Sequence, residues 1–218
     1  MFIGHFAPAF AAAAISPRAP KLGTLFVAAQ LVDWAFFALA AVGIEKMRVD
    51  PNATVMVPFD LYHMPYTHSL LATGLWAVAF ALFIRFRDKD SGAAFLAALV
   101  VVSHWLLDFL THRPDLTITG GDQAYGLGLW NYPFIAIPFE LAITIGAFVW
   151  YVKRTRGPIA PPLVLMSVLL AFQAINWFGP APEAANMALY LQALAAFAIA
   201  TLFARWVGNN RWHKHARG

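Results

Sequence analysis

The sequence predicts an all-α polytopic membrane protein of about seven helices, six clear spans and a short N-terminal one. Two bulk properties point there. Apolar residues make up 61% of the chain and only 12% are charged, where a soluble domain is about 25% charged. Mean hydropathy is +0.63. The third observation is the spacing of apolar stretches long enough, or nearly so, to cross a bilayer, which takes about 20 residues.

Those stretches run over 22–43, 67–86, 92–112, 133–152, 161–179 and 186–207. Gly and Pro punctuate the joints, in "SPRAPKLG", "RGPIAPP" and "FGPAPEA". A shorter stretch, "FIGHFAPAFAAAAI" at 2–15, has no basic residues before its apolar run and so makes a poor signal peptide. It is predicted as a short first helix, tilted or half-inserted. Residues 1–218 form one transmembrane domain, with 1–140 carrying the metal-site candidates and 141–218 the last helices and a basic tail. There is no cysteine, which excludes disulfides and thiolate chemistry.

Basic residues orient the chain. Twelve of the fifteen fall on alternate connections: Arg18, Lys21, Arg85, Arg87, Lys89, Lys153, Arg154, Arg156, Arg205, Arg211, Lys214 and Arg217. Lys46, Arg48 and Arg113 are on the other side. The positive-inside rule then predicts an outside N-terminus and a cytoplasmic C-terminus. The net charge of +4 is explained by these loops, and no nucleic-acid partner is expected. His213 and His215 are predicted in a solvated basic tail. Trp130, Tyr132, Trp150, Tyr151, Trp177 and Trp206 are predicted in interfacial belts.

Against that topology, His5, Asp33, His63, His68, His104, Asp108, His112 and Glu140 all map to the outer half or outer surface. In "SHWLLDFLTH", His104, Asp108 and His112 are spaced by four residues and form one helical stripe. Each step rises about 6 Å, so His104 and His112 can share an ion only if the helix end unwinds. Ionisable groups inside a membrane helix are costly and are functional candidates by default. Imidazole and carboxylate are the usual ligands of a divalent metal such as zinc when cysteine is absent. His5, Asp33, His63, His68, His104, Asp108 and His112 are therefore the candidate ligands. Helix-to-helix hydrogen bonding is the plainer role for any one of them alone. The segment "GGDQAYGLGLWNYP", 120–133, is either a lid over the site or a flexible connection.

The motifs "GH" near the start, Asp33, "HMPYTHS", "HWLLDFLTH" and "GLGLWNYPF" occur in the order of a known family. The chain resembles the inner-membrane metal-dependent hydrolases, the group that includes the LexA-binding inner-membrane-associated hydrolase. The resemblance covers residues 1 to about 140 and matches His5, Asp33, His63, Thr67, His68, Ser69, His104, Asp108, Pro133 and Phe134 to family motifs. It departs at the second motif, where the family carries two aspartates and a histidine. Here the motif is "QLVDWAF", with Gln30 or Leu31 at the place of the other acid. A more distant likeness is to the zinc-dependent phospholipase C and single-strand nuclease superfamily, which is all-helical with a similar ligand order.

The resemblance implies a membrane-embedded, metal-dependent hydrolase. The topology places it at the outer face of the inner (plasma) membrane, and a site opening into the outer leaflet favours a phosphoester or other ester in a lipid or lipid-linked molecule as substrate. Glu140 and Asp108 are the candidate catalytic carboxylates, Glu140 as general base. The alternative is a non-catalytic membrane subunit or partner-binding protein that keeps a degenerate metal site. Bis-histidine haem binding is a third reading. It leaves Asp33 and Asp108 without a purpose.

Overall fold

Five helices of the computed structural model, which describes residues 1–215, are long and apolar enough to cross a membrane. They are α4 (Leu70–Asp88), α5 (Ser91–Thr111), α6 (Pro133–Arg154), α7 (Ala160–Phe178) and α8 (Met187–Asn210). The chain is an all-α polytopic membrane protein, as its composition predicts. Arg217 lies outside the described residues. Local signals set the helix starts. The side chains of Ser69, Asp90 and Asn186 cap α4, α5 and α8 by accepting from backbone N–H groups of the first turn. Proline in the first turn opens α6 and α7, where its missing N–H is not needed.

The apolar stretch 22–43 is not one straight helix. It divides into α2 (Leu22–Ala29) and α3 (Leu31–Ala41), which meet at 54°. The break falls on Gln30, a buried amide whose Nε2 donates to the carbonyl of Phe2. An amide in an apolar bundle must find such a partner, and here the partner lies off the helix.

The short first segment is α1 (Ala7–Ile15), preceded by a single 3-10 turn, Ile3–Phe6. Nine residues rise about 13 Å, less than half of the hydrocarbon thickness. The helix lies inside the bundle, packed against α2, α5 and α6. Phe6, at the end of the 3-10 turn, and Phe10 are both fully buried in that packing. Their rings sit 4.3 and 5.3 Å from Phe26, and Phe10 also meets Phe148 and Tyr151. Tyr151 is thus a buried packing residue rather than part of an interfacial belt.

The connections contain strands that helical periodicity does not predict. At one end of the bundle, β1 (Lys46–Val49) pairs antiparallel with β2 (Phe59–His63). Met47, Phe59 and Leu61 face inward while Asp60, on the opposite face, pairs with Arg48 and Arg113. The 120–133 segment is tied to this ribbon through Met56 N–H, which donates to the Trp130 carbonyl.

At the other end, β3 (Thr155–Arg156) pairs with β4 (Trp212–His213). This corrects the expectation of a solvated tail for His213, which is buried, while His215 is exposed as expected. Arg211 is buried and donates to the carbonyls of Val152, Thr155, Gly157 and Pro158. The Nε2 of buried His213 is 3.0 Å from the Ala14 carbonyl. Carbonyls left open at helix ends and turns capture the tail's donors.

Helices α2 and α8 approach closely at Gly23, where a Cβ would lie 2.8 Å from the Cα of Arg205. Gly23→Val should lower stability by about 1–3 kcal/mol through overpacking. Gly74→Ala, at a position with nothing within 4 Å, should be neutral or gain up to about 1 kcal/mol from helix propensity. Thermal unfolding of both variants in mild detergent checks this.

Candidate metal centre

Asp108 lies at the centre of a cluster of imidazoles drawn from four parts of the chain. Its Oδ1 is 3.0 Å from His5 Nε2 and 3.5 Å from His112 Nε2. Its Oδ2 is 3.1 Å from His104 Nε2 and 3.8 Å from His68 Nε2. The backbone nitrogen of Met1 is 3.0 Å from Oδ1. Asp33 faces the same point, with Oδ1 3.4 Å from His68 Nε2 and 3.5 Å from His104 Nε2. Asp108 and the four histidines are each almost wholly buried.

Each element delivers its ligand for a local reason. His104 and Asp108 share a face of α5 at i, i+4 spacing. His112 lies just past the helix, with extended backbone (φ −64°, ψ 147°). The helix end does unwind there, and this turns the His112 ring back toward Asp108. Leaving the helix at this point needs room for the next strand of chain. Gly126 supplies it, because a Cβ there would strike the carbonyl oxygens of His112 and Arg113. His68 directly precedes the Ser69 cap of α4. Asp33 is in the first turn of α3, just after the break at Gln30.

Three of the four histidines have the outer ring nitrogen engaged, while Nδ1 of His5 is buried with no hydrogen-bond partner. His104 Nδ1 is 2.8 Å from the Ala29 carbonyl, an acceptor left open where α2 stops. A carbonyl can only accept, so His104 carries its proton on Nδ1. His112 Nδ1 is 2.9 Å from Asp115 Oδ1. His68 Nδ1 is 2.8 Å from Thr67 Oγ1, and that hydroxyl donates to Glu45 Oε2 at 2.7 Å. In all three, Nδ1–H points to an outer acceptor and leaves the Nε2 lone pair facing the carboxylates. This is the tautomer of a histidine prepared to bind metal.

The donor set fits a metal ion. His5, His104 and Asp108 form one group of converging ligand atoms, and Asp33, His68 and His104 form another. Ligands bonded at about 2.0–2.1 Å in tetrahedral geometry stand roughly 3.3 Å apart. The separations of 3.0, 3.1, 3.4 and 3.5 Å between histidine nitrogens and carboxylate oxygens have that scale. The Nε2 atoms of His5 and His104 are buried with no aligned hydrogen bond, although carboxylate oxygens lie near. Their rings stack at 3.7 Å, nearly parallel. Buried nitrogens with no hydrogen bond in an acceptor-rich site are what a bound cation would satisfy. His104 offers one lone pair to both groups, so they overlap in one centre. The cluster can hold a metal ion.

Three candidates sit differently. His112 has its Nε2 3.5 Å from Asp108 Oδ1 but belongs to neither group of converging ligand atoms. His63 is exposed at the end of β2, with its ring against Tyr66, and belongs to neither group. Glu140 is buried beside the centre, and its Oε1 accepts from the N–H groups of Phe2 and Gly4, both at 2.9 Å. Its Oε2 accepts from Gln173 at 3.3 Å. It seats the N-terminal turn that carries His5.

Sequence reasoning passed over Glu45 and Asp115, which hold the outer nitrogens in place. Both fall where apolar stretches give way to polar connections, and acids there read as solvated. Glu45 is in fact buried, and burial pushes its carboxyl up against the pull of its three donors. Trp130 packs its ring 4.4 Å from His112, so the 120–133 segment closes on the centre at that point.

A cavity of about 430 Å³ opens from the cluster. Asp33, His68, Asp108, His112 and Glu140 contribute polar groups to its lining. The rest is mostly apolar: Phe36, Phe37, Phe59 and Leu61, with Phe172, Ile175, Leu189 and Ala196 of α7 and α8 beside the polar Asn176 and Gln192. No family model, curated protein or solved structure matches the chain.

Elemental mass spectrometry of chelator-free protein in mild detergent should find a divalent metal in the wild type. His104→Ala and Asp108→Ala should lose it. His63→Ala should keep it.

Proposed function

We propose that the chain is a membrane-embedded, metal-dependent hydrolase that cleaves a phosphoester or other ester in a lipid or lipid-linked molecule. The observation that carries this reading is the amphiphilic cavity, lined both by the ligand cluster and by mostly apolar side chains of α3, α7 and α8. Such a shape suits a molecule with a polar group to be cut and a chain to be buried. Zinc is the favoured ion, because the donors are imidazole and carboxylate. The bias of basic residues supports a site on the outer face of the inner (plasma) membrane.

A bound divalent ion supplies Lewis acidity and lowers the pKa of a coordinated water toward neutrality. The protein supplies the rest. His5, His68, His104 and Asp108 bind the ion from buried positions that exclude competing water. Asp33 is the more open of the two carboxylates, its side chain 18% exposed against 2% for Asp108. It faces the cavity and is placed to accept a proton from an attacking water. Glu140 holds the N-terminal turn, and with it His5, in register. Phe36 and Phe37 hold the substrate's apolar part beside the centre.

A second reading, a non-catalytic subunit with the same metal centre, is favoured by one observation. Gln30, near the place of a family aspartate, offers no carboxylate, and its Nε2 donates to the Phe2 carbonyl. Metal-loaded protein that turns over no member of a phospholipid and lipid-linked ester panel, yet co-purifies with a partner, would select this reading.

Product release from that panel, followed by mass spectrometry of protein in lipid nanodiscs, tests the hydrolase. Asp108→Asn should abolish turnover. Ala196→Trp, at a small residue of α8 that lines the cavity, should narrow it and leave metal content unchanged. It should cut turnover of long-chain substrates roughly tenfold or more relative to a short-chain soluble ester. Equal loss on both substrates would contradict the assigned path of the chain.

A further inference from the structure

We propose that Glu45 is a positioning residue that sets the tautomer of His68 through the hydroxyl of Thr67. The inference rests on the metal-centre reading for its purpose, but its geometry stands alone. Glu45 Oε1 accepts from the N–H groups of Tyr66 and Thr67, at 2.9 and 3.0 Å. With Oε2 accepting from Thr67 Oγ1, both oxygens act only as acceptors. Thr67 has one hydroxyl proton, and it is committed to Glu45. Its oxygen can therefore only accept from His68 Nδ1, 2.8 Å away. The chain of bonds runs one way, from His68 to Thr67 to Glu45, and leaves Nε2 bare toward Asp33 and Asp108. On the other side of the ring the Asp33 and Asp108 carboxylates, 3.4 and 3.8 Å from Nε2, draw a proton toward Nε2, so the Thr67–Glu45 relay is what opposes them and holds it on Nδ1. Two further contacts leave the ring nitrogens alone. Phe36 meets its ring edge-on, and Trp105 Nε1 donates to its backbone carbonyl.

This directionality makes an isosteric substitution informative. In Glu45→Gln, the amide oxygen can keep the two backbone donors and so keep the turn before α4. The amide nitrogen then faces Thr67 Oγ1 and can only donate. The hydroxyl proton is turned toward His68 Nδ1, which must accept, and the imidazole proton moves to Nε2. There it blocks the lone pair that would face a metal. A merely structural Glu45 would tolerate this change of one atom.

The experiment is nitrogen-15 histidine NMR on metal-free protein in detergent, paired with zinc titration against a chromophoric chelator. Wild type should show His68 protonated at Nδ1. Glu45→Gln should show it protonated at Nε2, with zinc affinity lower by roughly tenfold to a hundredfold. Adding Thr67→Val to Glu45→Gln removes the reversed donor and should recover part of that affinity. Glu45→Gln with the wild-type tautomer and affinity would overturn the proposal. If Glu45→Gln fails to fold, Thr67→Val alone decides: the Nδ1–H signature should become mixed, and an unchanged signature would overturn the proposal. Wild type that binds no zinc but shows the predicted tautomers would sink the metal-centre reading and leave the Glu45 relay standing.

Discussion

The burial of the Asp108 carboxylate inside an apolar bundle is the constraint on which the rest depends. An unpaired charge there would cost several kcal/mol. The structure meets that cost by converging groups on both oxygens. His5, His112 and the Met1 nitrogen approach Oδ1, and His104 and His68 approach Oδ2. No single helix can supply five groups to one carboxylate. The chain must leave helical geometry to bring them in, and it does so next to the site. α2 and α3 part at Gln30, α5 stops before His112, and a 3-10 turn carries His5.

Each break also supplies a hydrogen-bond partner. The end of α2 frees the Ala29 carbonyl for His104. The turn before α4 presents Thr67 to His68. The chain that leaves α5 places Asp115 three residues after His112, within reach of its outer nitrogen. Irregular backbone at membrane depth is tolerable only where protein satisfies its polar groups, and here those groups are used to orient ligands. The same economy operates around Glu140, whose oxygens take up N–H groups that the N-terminal turn leaves open.

The opposite end of the bundle follows the same rule without the chemistry. Arg211 and His213 return to open carbonyls of the helix ends and close a small β ribbon. Their burial in a segment of basic composition shows that charge along the chain does not predict exposure when acceptors are waiting.

The sequence by itself determined the helical membrane class, the five apolar stretches after residue 66 that are spanning helices, and the helical pairing of His104 with Asp108. Those properties follow from the length of apolar runs and from the 3.6-residue period, which are local. It also brought forward His5, Asp33, His68 and His112 as candidates, because ionisable groups stand out in apolar surroundings. Tertiary structure alone decided which of them converge. His63 and His68 sit five residues apart, yet the ribbon carries one outward and the turn before α4 carries the other in. It alone decided that the 22–43 stretch breaks, at Gln30, whose amide nitrogen reaches Phe2 on another segment. It alone revealed Glu45 and Asp115, whose function lies in contacts across 22 and three residues of chain. Hydrogen-bond direction depends on which acceptor the fold puts beside each ring, and no local pattern of residue types contains that information.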